Sequence, residues 1–182
     1  MTDLPVEGLT IRRGRSETVI HAPLEQVSQA MLDYGRYHEF MPHVRESRVV
    51  HRNRGATDLY VQVPLTPTLG VIWALLRLEA RWSRARDQVE ITGRAVDGNM
   101  ERFEVHCLLE RAPGAEPATR FVFEVLAQPR LPFPSSLFTR ENRDASRTVA
   151  SNVRVRVERA YALAPLRPQR PTQRTPSDAA RH

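Results

Sequence analysis

The chain has 182 residues, 41% of them apolar, and a formal net charge of +6, enough for one ordinary domain with a core and against wholesale disorder. No stretch approaches the roughly 20 apolar residues of a membrane-spanning helix, and an N-terminus holding Asp3, Glu7, Arg12 and Arg13 lacks the apolar run of a secretory signal, so a cytoplasmic protein is expected. A lone cysteine, Cys107, excludes an internal disulfide, and its neighbours Val105 and Leu109 suit a core thiol.

Residues 1–14 are read as an N-terminal extension and 15–160 as one domain. Arg15 to Ala22 alternates enough to be a strand and ends at Pro23, which opens a helix at its first turn. Val27, Ala30, Met31 and Tyr34 follow at helical spacing, and Gly35 is expected to break that helix. Tyr37, Phe40 and Met41 indicate a second short helix before Pro42.

A strand from Val44 to Arg52, a turn at Asn53-Arg54-Gly55 and a second strand at Leu59–Val63 read as a hairpin, followed by a loop from Pro64 to Gly70. The run from Val71 puts Ile72, Ala74, Leu76, Leu78, Ala80 and Trp82 on one face and Arg77, Glu79, Arg81 and Ser83 on the other. That is the pattern of an antiparallel strand with one wet side. A helix over Leu75–Arg86 is the competing pattern, and it fits less well. Three more strands fit Gln88–Arg94, Met100–Arg111 and Arg120–Gln128, separated by Asp97-Gly98-Asn99 and Pro113-Gly114. In the second, Phe103, Val105, Cys107 and Leu109 oppose Arg102, Glu104, His106 and Glu110; in the third, Phe121, Phe123 and Val125 alternate with Val122, Glu124 and Leu126.

After the prolines of 129–134, Ser135 or Ser136 caps a long helix to about Arg159, with a stripe of Phe138, Ala145, Val149, Val153 and Val157 and with Asn142 and Asn152 close by. Its Val-Arg-Val-Arg-Val segment has strand propensity. Residues 161–182 read as a disordered Arg/Pro-rich tail. All 27 basic residues are arginine, and beyond Pro165 four of them face only Asp178, so half of the net charge sits in that tail. A dedicated phosphate-binding surface on the folded part is therefore not expected, and nucleic acid is set aside as a partner.

The order is strand, helix, helix, six strands, long helix, so the helix must cover the apolar face of an α+β sheet. The stretch Val19-Ile-His-Ala-Pro-Leu-Glu-Gln-Val, with Asp33, Tyr34, Tyr37, Phe40 and Pro42 at the spacing Asp-(Phe/Tyr)-x-x-Tyr-x-x-(Phe/Trp)-x-Pro, resembles the START-like, helix-grip superfamily in its polyketide cyclase/coenzyme Q-binding branch. The resemblance implies a curved antiparallel sheet of about seven strands (β-α-α-β6-α) wrapped on the C-terminal helix around an apolar cavity. Fold does not carry function by itself.

The first expectation is non-enzymatic binding or transport of a small hydrophobic molecule (a lipid, isoprenoid, quinone or polyketide-like compound). The cavity walls would be Ile72, Leu76, Leu78, Trp82, Phe103, Val105, Phe121, Phe123, Phe138, Val149 and Val153, with Asn142 and Asn152 as polar anchors. The second is a polyketide aromatase/cyclase, which requires inward acids and bases. Here Glu79, Arg81, Glu104, His106 and Glu124 phase outward, Arg45 and Ser47 phase inward, and His21 and His43 lie near strand ends. No catalytic pair stands out, so no catalytic residue is assigned. The third is a toxin-like, ribosome- or protein-interacting module using Arg140, Arg143, Arg147, Arg154, Arg156 and Arg159, which Glu141, Asp144 and Glu158 interrupt. Leu131-Pro-Phe-Pro and Leu137, beside Arg130 and Arg140, could touch an anionic membrane or another acidic surface. No metal and no cofactor are expected.

Overall fold

The computed structural model describes residues 2–7, 11–41, 44–66, 70–130 and 134–163. The chain runs β1 (Thr2–Leu4), β2 (Arg13–Ile20), α1 (Leu24–Leu32), a 3-10 helix (Tyr34–Glu39), β3 (Glu46–Arg52), β4 (Ala56–Thr66), β5 (Gly70–Trp82), β6 (Gln88–Gly98), β7 (Met100–Arg111), β8 (Thr119–Pro129) and α2 (Ser135–Leu163). The strands form one antiparallel sheet in the order β1-β2-β8-β7-β6-β5-β4-β3. β3 to β8 is a meander, whereas the link from β2 to β3 traverses the sheet and carries α1 and the 3-10 helix with it.

Local chemistry sets the turns. Asn53 Oδ1 accepts the amides of Gly55 and Ala56, and Ser83 Oγ donates to the Asp87 carboxylate. Gly98 turns β6 into β7 at φ +141°, where a Cβ would also lie 2.5 Å from the Trp73 carbonyl oxygen.

Burial follows the period-two pattern. Leu59, Val89, Leu109 and Phe121 are fully buried on the face that α1 and α2 cover, together with Ile20, Val27 and Val153. The opposite face is a lattice of ion pairs, Arg13–Glu104 at 2.6 Å, Arg15–Glu124 at 3.3 Å, Arg120–Glu17 at 2.7 Å and Arg77–Asp58 at 2.8 Å, with His106 Nε2 hydrogen-bonded to the Glu90 carboxylate at 2.9 Å. Such exposed pairs add little stability each, but they keep the outer face wet and so fix which face is core.

Several expectations need correction. The sheet has eight strands, because Thr2–Leu4, within the segment read as an extension, pairs with Arg13–Arg15. A three-residue strand has no periodicity to read, and this one is latched by Arg143, which is bidentate on Asp3. α1 ends at Leu32, two residues before the spacing suggested, and Gly35 lies inside a 3-10 helix that begins at Tyr34 rather than Tyr37. α2 runs through its Val-Arg-Val-Arg-Val segment to Leu163, because Val153 and Val157, four apart, bury against the sheet while Val155 stays 61% exposed. His43, Leu131–Phe133 and the 164–182 tail lie outside the described residues.

Candidate functional site

The site is the concave face beneath α2. β2 approaches the helix so closely that a Cβ on Gly14 would lie 2.0 Å from the Asn142 carbonyl oxygen. Around this contact Ser16 and Ser146 share a hydrogen bond of 3.0 Å. Asn142 accepts the Ala127 amide at 2.9 Å and donates to the Arg12 carbonyl at 3.1 Å. Farther along, Asn152 donates to the Phe40 carbonyl, and Glu158 accepts the His21 amide. The helix is thus fastened at both ends.

The 3-10 helix closes one flank. Ser47, buried on β3, donates to the Gly35 carbonyl and accepts the His38 amide. Tyr37 donates to the Met31 carbonyl at 2.5 Å, and Tyr34, Tyr37 and Phe40 meet edge to face. Burial pushes the Tyr34 phenol up to about 12 and raises those of Tyr37 and of the Cys107 thiol.

Packing is uneven along this face. Phe121, Leu109 and Val153 are fully enclosed, and Leu76, Leu78 and Phe123 nearly so. Ile72, Phe103, Val105 and Val149 belong to the same core but are only half-buried. Ile72, Phe103 and Val105 lie towards the starts of β5 and β7 and Val149 lies on α2, while Leu32, Tyr37, Phe40, Val49, Trp82 and Tyr161 are half-buried elsewhere around the same core. Gly93 narrows the middle: a Cβ there would meet Leu78 at 2.4 Å and Val105 at 2.7 Å, so these two side chains lean across it.

Four of the expected wall residues have other surroundings. Phe138 packs with Ile11 and Leu126 in a separate small cluster. Leu126 was expected on the outward phase of β8, but it is fully buried. Asn142 is occupied by two backbone groups. Trp82 borders a surface groove of about 520 Å³ with Leu32, Asp33 and Arg52, its ring lying 5.3 Å beneath the Arg86 guanidinium. Asn152 borders another groove, about 540 Å³, between α2 and the 3-10 helix. Arg45, expected to face inward, is exposed, and its amide donates to Gln62. Glu79, Arg81, Glu104 and Glu124 lie in outer-face ion pairs, and His106 hydrogen-bonds Glu90 on the same face.

Spacing did not reveal the latch at the 540 Å³ groove. Glu39 accepts from Arg36 and from Arg156, which also sits 4.4 Å over the Phe40 ring. The Arg36 hydrogen bond, aided by Arg156, holds the Glu39 carboxyl at about 2. A depressed carboxylate favours the folded arrangement at neutral pH and loses that contribution as pH falls towards its folded value. A carboxyl NMR titration should therefore place Glu39 near 2. Changing Arg36→Gln should move its midpoint upward, and an unmoved midpoint would remove Arg36 as the cause.

An eight-stranded antiparallel sheet gripping a C-terminal helix is the START-like helix-grip fold. The family described as polyketide cyclase/dehydrase and lipid transport matches residues 20–154, and the chain belongs to it. No curated protein sequence matches the chain. Among solved structures, a STAR-related lipid transfer protein from Xanthomonas axonopodis is similar at TM-score 0.71 and 17% identity, over 85% of this chain and 90% of that one. Human STARD10 reaches TM-score 0.72 at 11% identity, over 88% and 69%. The Zhui aromatase/cyclase of a Streptomyces species reaches 0.58 at 14%, over 85% and 98%. No helix among the described residues is long and apolar enough to cross a membrane.

Proposed function

We propose that this protein binds and carries a small hydrophobic molecule on the concave face of its sheet and does no chemistry on it. The carrying observation is the character of that face. No charged side chain is buried among the described residues, and the half-buried positions Ile72, Phe103, Val105 and Val149 leave apolar surface accessible. Cyclisation of a polyketide chain needs a proton donor or acceptor within hydrogen-bond reach of the reacting carbonyl. Here Tyr34, Tyr37 and Cys107, next to the face, are held neutral by burial, and the His38 ring on its flank is engaged by Ser47.

The arginine side of α2 favours no nucleic-acid partner: Arg147 pairs with Asp144 at 3.3 Å and Arg154 with Glu158 at 3.1 Å. Native mass spectrometry of the purified protein, combined with fluorescence titration of diphenylhexatriene, tests the reading. A co-purified apolar compound released unchanged, or saturable uptake of the dye, is expected. An empty protein that also refuses the dye would end the carrier reading.

A further inference from the structure

We infer that the guest of the concave face is uncharged along its whole buried length, a neutral hydrocarbon-rich molecule rather than a fatty acid or phospholipid drawn in head first. This rests on the carrier reading and narrows it. An ionised group leaves water only where a counter-charge or a set of hydrogen bonds replaces its hydration, and the interior offers neither. The buried polar side chains are Ser16, Ser28, Ser47, Thr119, Asn142 and Ser146, all neutral. Each is already used: Ser16 with Ser146, Ser28 on the Leu24 carbonyl, Ser47 on Gly35, Thr119 on Ala22, and Asn142 on Arg12 and Ala127. Every fully buried side-chain nitrogen and oxygen among the described residues has a partner. Arg13, Arg15 and Arg120 on the outer face and Arg147 on α2 are paired with carboxylates, and Arg156, over the Phe40 ring, is paired with Glu39.

A matched pair of fluorescent polyenes reads this directly: cis-parinaric acid and its methyl ester, titrated against the full chain from pH 5 to pH 9. Across that range the buried groups at the site, Cys107 from β7 and Tyr34 and Tyr37 from the 3-10 helix, stay neutral because burial raises all three. Asp33 and Arg52 stand near the two phenols and the His38 ring meets Ser47 at 2.9 Å, so the ester reports any pH dependence of the protein itself, and only a dependence that the acid shows and the ester lacks belongs to the probe's carboxyl. The ester should bind at least about tenfold more tightly than the acid at pH 8, roughly one decade in Kd. Its affinity should be flat with pH, while that of the acid rises as the probe protonates.

Ile72→Arg, which places a guanidinium at a half-buried position near the start of β5, should reverse the preference in favour of the acid. Equal affinity for acid and ester at pH 8, with no pH dependence, would overturn the inference and leave the carrier reading standing. Failure of both polyenes and of diphenylhexatriene to bind would remove both. If Ile72→Arg does not fold, the acid-to-ester ratio of the unaltered protein decides alone.

Discussion

Gly14→Ala is expected to destabilise the protein by about 3 kcal/mol, the upper end of ordinary overpacking, lowering the melting temperature by roughly 6–12 °C. The added methyl would sit 2.0 Å from the Asn142 carbonyl oxygen, 2.3 Å from its carbon and 2.6 Å from the Arg143 nitrogen. Overpacking against a flexible side chain is relieved by a rotamer change, but here all three atoms are backbone in α2. Relief requires the helix to lift from β2, which breaks the Ser16–Ser146 bond and strains both bonds of Asn142. Thermal denaturation followed by circular dichroism measures the loss. A variant melting within about 2 °C of the parent, less than 1 kcal/mol on this scale, would mean that β2 and α2 stand farther apart than described.

Asn142→Ala is expected to cost about 2–4 kcal/mol, since it leaves two backbone groups, the Ala127 amide and the Arg12 carbonyl, without a partner in a site 2% exposed. Asn142→Asp separates hydrogen bonding from volume. It keeps the acceptor for Ala127 but turns the donor towards Arg12 into an oxygen, and it buries a charge. At neutral pH it should be at least as harmful as alanine. It should recover part of its stability in acid, where the protonated carboxyl regains a donor; the raised folded pKa makes the penalty shrink as pH falls. Urea denaturation at pH 7 and pH 4.5 checks both. An aspartate variant as stable as the parent at pH 7 would show that Asn142 is not tied to the sheet.

Much of the architecture was legible because strands wet on one side announce themselves. Ile72 to Trp82 and Phe103 to Leu109 alternate, interrupted only by Trp73, Leu75 and Leu108, and of the inward sets Ala74, Leu76, Leu78, Cys107 and Leu109 are buried, Ile72, Trp82, Phe103 and Val105 half-buried, and Ala80 alone exposed. The stripe on α2 was legible for the same reason at helical period. Distance was not legible. Phe138 shares the stripe with Val153, yet it packs on Ile11 and Leu126, because a 29-residue helix spans more than one layer of contacts. Asn142 looks like an anchor for a ligand in a one-dimensional reading, since spacing places a side chain on a face without saying which backbone groups wait there. The only signal for its true role was a glycine at position 14, and a lone glycine in a strand has several readings. The Arg143 clasp on Asp3 of β1 and the Arg156 arm of the Glu39 latch lie beyond periodicity altogether, being set by partners more than 100 residues away.

Cys107 lies on β7 opposite Phe123 and Ile91, 2% exposed, with its thiol raised by burial. Alkylating dyes and disulfide-forming oxidants act on thiolates they can reach, so they pass over the native chain. A cysteine engineered anywhere on the surface would accept a fluorophore or spin label alone, with the natural sulfur left in place as a silent bystander.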